Sequence, residues 1–122
     1  MKPIEHISWD RYTGAVHWLS LCIERAEFKW KDQRVYNLFP IYRGGLVPAV
    51  CLSHRLNLPI NMCRDFHSLI VDDIVDTGET AKAYRDSPLV SVFYRSTSAS
   101  VPWLYGELIE HDRWLQFPWE VS

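Results

Sequence analysis

The stretch Leu69–Tyr84, LIVDDIVDTGETAKAY, carries the strongest structural signal in the chain. Leu69–Asp72 is a continuous apolar run that ends in an acid, which is typical of a buried strand in a parallel sheet. A glycine follows at Gly78, and Thr80–Arg85 has the composition of a helix. A strand, a glycine turn and a helix in this order indicate an α/β domain with a parallel sheet.

The loop inside this stretch has the groups that bind a sugar phosphate. Gly78 lets the backbone turn tightly, and the amides around it form an anion cradle, to which Thr77 and Thr80 add hydroxyls. The loop lacks the Gly-Lys-Ser/Thr of a Walker motif. Asp72 and Asp73 would repel a phosphate, so they suit the hydroxyls of a sugar or the outer shell of Mg²⁺.

The same residues have a simpler interpretation as a strand-to-helix turn with solvated acids and a threonine cap. That interpretation must explain three acids, one glycine and two threonines in a fixed order behind an apolar strand. A site for a pentose 5-phosphate is therefore the favoured interpretation.

The rest of the chain alternates strands and helices. Ser8 is a candidate N-cap for a helix that starts at Trp9. In parallel sheets, ligands bind at the carboxyl ends of the strands. Arg43-Gly44-Gly45 and Asp72-Asp73 each follow a predicted strand and therefore lie at such ends. The predicted elements are a helix over Trp9–Ala26, a strand over Val35–Tyr42, a helix over Leu46–Leu56, strands over Leu58–Met62 and Val90–Tyr94, and strand pieces at Leu108–Ile109 and Trp114–Leu115 within an irregular end.

A second motif, Ile41–Ala49, reads IYRGGLVPA. Arg43 is a potential bidentate binder of anions. Gly44 permits unusual backbone geometry, and the helix that follows points its positive end at the same place. These features suit a pyrophosphate group. A glycine turn with a surface arginine explains this loop equally well when the loop is considered alone.

A third motif, Asp112–Glu120, reads DRWLQFPWE. An aromatic face in this segment could stack on a flat base. The alternative is a strand that packs Trp114 and Trp119 into the core, and composition alone favours that alternative.

Composition limits the class of protein. The 122 residues fit one domain, 1–122, and 48% hydrophobic residues suffice for a packed core. The net charge of −2 gives no footprint for nucleic acid, and no basic cluster or apolar span indicates a membrane. The three cysteines lack metal spacing and are typical of reduced thiols, so we expect a cytoplasmic protein.

Together the motifs resemble the signature of the type I phosphoribosyltransferases, which join a base to phosphoribosyl pyrophosphate (PRPP). The resemblance is closest to the purine branch, the xanthine-guanine phosphoribosyltransferases. It runs over nearly the whole chain and is strongest at Arg43–Pro48 and Leu69–Ala81. It implies a parallel central sheet flanked by helices, with a small C-terminal hood segment.

The resemblance also implies roles for individual residues. Asp76 would lie beside N7 of the base as the catalytic proton acceptor or donor. Arg95 stands where the family carries a lysine that recognises the 6-oxo group. The implied PRPP and phosphate ligands are Arg43, Gly44, Asp72, Asp73, Thr77, Gly78, Glu79 and Thr80, with Asp72 and Asp73 also in the Mg²⁺ shell; the implied base ligands are Arg95, Trp114, Leu115 and Glu120.

The implied activity is Mg²⁺-dependent transfer of the 5-phosphoribosyl group from PRPP to guanine, xanthine or hypoxanthine, as in purine salvage. The expected partners are PRPP, the purine base and the nucleoside monophosphate, and the chain is expected to form a homo-oligomer. Only Asn61–Ser68 is available for the flexible loop that closes over PRPP in the family. A weakly catalytic or non-catalytic regulatory module that binds PRPP or a nucleotide is thus an alternative. A transferase that uses a different base is another, because Arg95 replaces the family's lysine.

Overall fold

The computed structural model of the chain describes residues 3–120. The predicted domain of residues 1–122 also includes Met1, Lys2, Val121 and Ser122, which lie outside the described residues. Within the described range the elements in chain order are β1 (Ile4–His6), α1 (Trp9–Arg25), β2 (Lys29–Trp30), β3 (Gln33–Arg34), β4 (Asn37–Pro40), α2 (Leu46–Leu56), β5 (Ser68–Val75), α3 (Glu79–Ala83), β6 (Leu89–Arg95), β7 (Leu104–Ile109) and β8 (Trp114–Gln116).

The central sheet has the order β4-β5-β6-β7, and every neighbouring pair of strands is parallel. All four strands therefore end at the same edge of the sheet, called here the carboxyl edge. Two smaller sheets accompany it: β1 pairs with β8 in parallel, and β2 pairs with β3 in antiparallel. The predicted parallel α/β fold is confirmed.

Helix α1 begins where the sequence predicts, since the Ser8 hydroxyl accepts the N–H of Arg11 and caps the helix. Its buried face, which includes Val16, Leu19 and Ile23, packs on β6, β7 and α2. The helix lies so close to β7 that a β-carbon on Gly106 would overlap the main chain of Ala15. This close approach seats α1 over the β6–β7 half of the sheet.

Strand β5 is covered on both faces, as expected for a central strand of a parallel sheet. Leu69 and Val71 belong to the main core with α1 and α2, whereas Ile70 belongs to a second cluster with Ala81 of α3. Before the two acids the odd-numbered side chains point to the main core. After them the alternation is shifted by one residue, because Ile74 packs against the main core and Val75 belongs to the second cluster. The sheet is thus the middle of three layers.

The three helices of the described part of the chain pack against the central sheet. Within residues 3–120 none of them is both long and apolar enough to cross a membrane.

Several predicted boundaries are wrong. Strand β5 does not end at Asp72 but continues to Val75, because Ile74 and Val75 pair with β6 after the two acids. The predicted strand Val35–Tyr42 is reduced to β4, and the predicted strand Leu58–Met62 is a single bridge between Ile60 and Leu38. The helix predicted over Thr80–Arg85 is the five-residue α3.

The segment Asn61–Ser68 folds against the amino ends of the strands, away from the carboxyl edge. The Asp65 carboxylate accepts hydrogen bonds from Asn37 Nδ2 at 3.1 Å and from the N–H of His67 at 2.8 Å. The Ser68 hydroxyl donates to the side-chain oxygen of Asn37 at 2.6 Å. These bonds make the segment a tight turn, and the Asp65 side chain a turn acceptor.

Candidate active site

The carboxyl edge collects every motif that the sequence singles out. The loop after β4 holds Arg43 and Gly44, and the loop after β5 holds the sequence from Asp76 to Gly78. The segment after β6 contains Ser96–Ser100, and the turn after β7 leads into Trp114. Parallel pairing therefore brings residues from four separate parts of the chain to one edge.

The two acids of the first motif lie inside β5. Asp72 is 8% exposed, and its Oδ1 accepts the N–H of Asp73 at 2.8 Å. Burial raises the pKa of Asp72 to about 8, with a further contribution from the neighbouring Asp73. Burial also raises the pKa of Asp73. A cation or several hydroxyl donors at this place would favour the charged form of the pair.

The Arg-Gly-Gly loop packs directly on the acid pair. A β-carbon on Gly44 would overlap the carboxylate of Asp73, and one on Gly45 would overlap the main-chain oxygens of Ile41 and Val71. The Arg43 side chain is exposed at the same edge. The first and second motifs, which helix α2 separates along the chain, therefore form one surface.

The phosphate-loop candidate follows β5 without interruption. Gly78 has φ +92°, a backbone conformation that favours glycine. The hydroxyl of Thr77 accepts the N–H of Glu79 at 3.3 Å. The loop surrounds a hollow of about 100 Å³ that Asp76, Thr77, Gly78 and Thr80 help to line. Because α3 has only five residues, the loop amides contribute more to an anion site than the helix dipole does.

The segment Ser96–Ser100, for which the sequence motifs predict no role, supports this hollow. The N–H of Ala99 donates to the carbonyl of Thr77 at 3.0 Å. A β-carbon on Gly78 would come within 2.7 Å of the Ser98 hydroxyl. The run of hydroxyl residues directly after a predicted strand is the signal that could have indicated a role at this edge.

Asp76 and Arg95 form a close ion pair. The Nε of Arg95 donates to Oδ1 of Asp76 at 2.6 Å. The Arg95 side chain is 8% exposed, whereas that of Asp76 is 41% exposed. The predicted catalytic acid is thus open to solvent on one side and held by a buried guanidinium on the other.

Trp114 faces the site and not the core. It is 59% exposed, and it borders two adjacent cavities of about 160 and 320 Å³. Asp76 and Arg95 border both cavities as well. The smaller cavity is lined by Asp73, Ile74, Asp76, Arg95, Trp114, Leu115, Phe117 and Glu120, and the larger one by Asp76, Thr77, Arg95, Thr97, Asp112 and Trp114.

The other tryptophan of the third motif has a structural position. Trp119 lies 4.8 Å from Tyr12 and 5.2 Å from Phe117, measured between ring centroids. Composition favours core packing for both tryptophans. Of the two, Trp119 packs against the core and Trp114 does not.

The two other predicted base ligands are partly engaged within the chain. Leu115 is buried and is paired with Glu5 of β1. The N–H of Glu120 donates to the carbonyl of Phe117 at 3.0 Å, and the Glu120 carboxylate accepts the N–H of Phe117 at 2.9 Å. Both residues nevertheless line the smaller cavity beside Trp114.

The acid pair has the donors for a metal that a substrate also binds. Among residues 3–120 no group of three His, Cys, Asp or Glu side chains converges on a metal-sized site. Mg²⁺ that is bound together with substrate phosphates needs only one or two carboxylates and keeps several waters. Asp72 and Asp73 fit that second kind of site, because they supply two adjacent carboxylates and that of Asp73 lies against the Gly44 loop.

Comparisons with known proteins support the fold. No family model matches the chain. The xanthine-guanine phosphoribosyltransferase of Chromohalobacter salexigens is 27% identical over an alignment of 142 positions, gaps included, which spans 95% of this chain and 83% of that protein. A solved purine phosphoribosyltransferase from Pyrococcus horikoshii superimposes with a TM-score of 0.76 at 22% identity, covering 98% of this chain and 95% of that one.

A second solved structure gives the same result. The xanthine-guanine-hypoxanthine phosphoribosyltransferase of Helicobacter pylori has a TM-score of 0.74 at 18% identity, with 99% of this chain and 95% of that one covered. These likenesses show the fold, and the fold that the sequence motifs imply is confirmed.

Proposed function

Because the chain is a homologue of the xanthine-guanine phosphoribosyltransferases and has their fold, we propose that it transfers the 5-phosphoribosyl group from PRPP to a 6-oxopurine. The products are the nucleoside monophosphate and pyrophosphate. Guanine, xanthine and hypoxanthine are the proposed acceptors. The matching relatives are named as transferases, which does not favour the regulatory alternative.

One observation carries this proposal. Asp76 and Trp114 border the same cavity, and Asp76 also lines the hollow of the phosphate loop. A flat base lying on Trp114 would have Asp76 at its edge, and a sugar 5-phosphate in the hollow would lie on the other side of Asp76. This order of base, acid and phosphate is the order needed to join a base to C1 of a ribose 5-phosphate.

The chemistry then follows from the positions of the groups. The bond between C1 and the pyrophosphate oxygen breaks, and its electron pair leaves with pyrophosphate. N9 of the base attacks C1, and Asp76 accepts the proton of N7. Arg43 and the amides of its loop would hold the departing pyrophosphate, so the protein contributes orientation and electrostatic stabilisation.

Mg²⁺ is part of the proposal. When bound, it neutralises charge on the pyrophosphate as that group departs. Asp72 and Asp73 would hold it, since two carboxylates suffice for a metal that is also bound by substrate. The same acids would accept hydrogen bonds from the ribose hydroxyls.

An assay with four bases tests the proposal. PRPP and Mg²⁺ are mixed with guanine, xanthine, hypoxanthine or adenine in turn, and release of pyrophosphate is followed. We expect release with at least one 6-oxopurine and little with adenine. Measurable binding of PRPP or GMP without release for any base would contradict an enzyme and support a regulatory module.

The localisation and the self-association of the protein are also proposed. Cys22, Cys51 and Cys63 are free thiols, which supports a reducing compartment such as the cytoplasm. Self-association stays a prediction from the resemblance, and size-exclusion chromatography with light scattering would test it.

A further inference from the structure

Arg95 is an unusual residue in this chain. Arg95 and Asp72 are the two charged residues that are buried among residues 3–120. A buried guanidinium requires acceptors for its N–H groups, because an unpaired buried charge is costly. The acceptors of Arg95 therefore indicate what the side chain is used for.

The two acceptors belong to different segments. The Nε of Arg95 donates to Asp76 at 2.6 Å, in the loop after β5. Its Nη1 donates to the main-chain oxygen of His111 at 2.5 Å, in the turn after β7. Two donors of the guanidinium are therefore bonded within the protein, and the side chain bridges two segments of the carboxyl edge.

His111 is itself fixed to the sheet that presents Trp114. The Nδ1 of His111 accepts the N–H of Arg113 at 3.1 Å, and its Nε2 lies 3.1 Å from Glu5. This pattern assigns the ring proton to Nε2, which donates to Glu5. Glu5 lies on β1, which pairs with β8, and Ile4 is in register with Trp114.

A continuous chain of contacts therefore joins the phosphate loop to the base segment, defined as Asp112–Glu120. We propose that Arg95 is a positioning residue, which fixes Asp76 relative to the base segment through the main chain of His111 and does not distinguish the 6-oxo group of the base. This inference rests on the proposed function. The role differs from the one that the resemblance implies for this position.

A lysine would keep the charge of Arg95 but not its geometry. A guanidinium presents its donors as a planar fork, whereas an ammonium is a point charge on a flexible stem. Arg95→Lys should therefore lose one of the two acceptors. Arg64→Lys is the matched control, because Arg64 lies at the amino ends of the strands, where it donates to Ser87.

The test uses guanine and 2,6-diaminopurine, which differ in the group at position 6 and in the proton at N1. The KM for guanine, the inhibition constant for 2,6-diaminopurine, the KM for PRPP and kcat are measured. For Arg95→Lys we expect kcat to fall by about 10-fold or more, since misplacing reacting groups is costly. We expect the KM for guanine to rise and the KM for PRPP to stay within about twofold, because Arg95 does not line the hollow of the phosphate loop.

The decisive quantity is the ratio of the inhibition constant for 2,6-diaminopurine to the KM for guanine. An unchanged ratio supports a positioning role. A ratio that collapses toward one would show that Arg95 recognises the 6-oxo group, and an unchanged kcat would show that it positions nothing; either result overturns the proposal.

His111→Ala keeps the test decisive if Arg95→Lys fails to fold. This change keeps the carbonyl that Arg95 binds but removes the link to Glu5. We expect a higher KM for guanine with the KM for PRPP unchanged, and an unchanged KM for guanine would overturn the proposal.

Failure of the proposed function has its own signature. If the wild type transfers to no base, the proposed function fails by itself, and the affinity of each variant for GMP then tests the positioning role. Weaker binding of both GMP and 2,6-diaminopurine ribonucleoside monophosphate by Arg95→Lys than by Arg64→Lys would support that role. Weaker binding of GMP alone, or equal binding of both nucleotides, would overturn it.

Discussion

Gly44 lies directly against the carboxylate of Asp73, so that a β-carbon on Gly44 would overlap it. The contact joins the loop after β4 to the acid pair within β5. The contact is possible only while residue 44 has no side chain.

Gly44→Ala is therefore expected to weaken binding of PRPP. The added methyl group must displace the Asp73 carboxylate or the loop, both of which are proposed to hold PRPP, and a displacement of about 1 Å can lower kcat/KM by about 100-fold. Steady-state kinetics with varied PRPP would measure it. Gly14→Ala is the control, since a β-carbon there meets nothing within 4 Å and should stabilise α1 by about 0.5–1 kcal/mol. Equal kinetics for the two variants would contradict a role of the Gly44 loop in binding PRPP.

Asp76→Asn should lower kcat strongly and leave binding of GMP largely intact. An amide cannot accept the N7 proton as a carboxylate does, and general-base catalysis contributes about 100-fold to 10,000-fold. Single-turnover kinetics together with calorimetric titration of GMP would separate the two effects. Asp86→Asn, at an exposed position after α3, controls for loss of a carboxylate. A variant with full turnover would remove Asp76 from the mechanism.

Trp114→Ala should reduce affinity for the base. Stacking of a base on an aromatic side chain contributes about 1–3 kcal/mol by alanine substitution, and the exposed ring has little packing to lose. The KM for guanine should rise while the free energy of unfolding changes little. Trp18→Ala is the control, because Trp18 is 49% exposed on α1. A large loss of stability with an unchanged KM would show that Trp114 is structural.

Asp65→Asn should reduce stability in a pH-dependent way. Hydrogen bonds from Asn37 and from the N–H of His67 lower the pKa of Asp65 below its ordinary value of 3.8. The folded state therefore binds fewer protons than the unfolded state, so this stabilisation is present above pH 3.8 and is lost as the pH falls through the lowered pKa.

Urea denaturation at several pH values would measure the effect. The difference in free energy of unfolding between wild type and Asp65→Asn should be largest near neutral pH and should shrink in acid. Asp32→Asn, in the exposed turn between β2 and β3, is the control. A difference that stays constant from neutral to acid pH would exclude the carboxylate as its cause.

Local elements of this protein could be predicted from the amino-acid sequence alone. The apolar run of β5, the Ser8 cap of α1 and the glycine at the turn each act within a few residues, so their patterns predict structure directly. The end of β5 was predicted wrongly because it depends on a distant partner. Asp72 and Asp73 resemble a strand end, but the neighbouring strand β6 pairs with Ile74 and Val75 beyond them.

The contacts between distant side chains follow from tertiary packing. Packing separates Trp114, which borders the cavity, from Trp119, which lies against the core. The pairing of β8 with β1 orients Trp114, whereas Trp119 lies in the turn after β8 against Tyr12 and Phe117. Packing also places Arg95 between Asp76 and His111. Such contacts depend on the register of strands that are far apart in the chain, and the residues of LIVDDIV do not specify those partners.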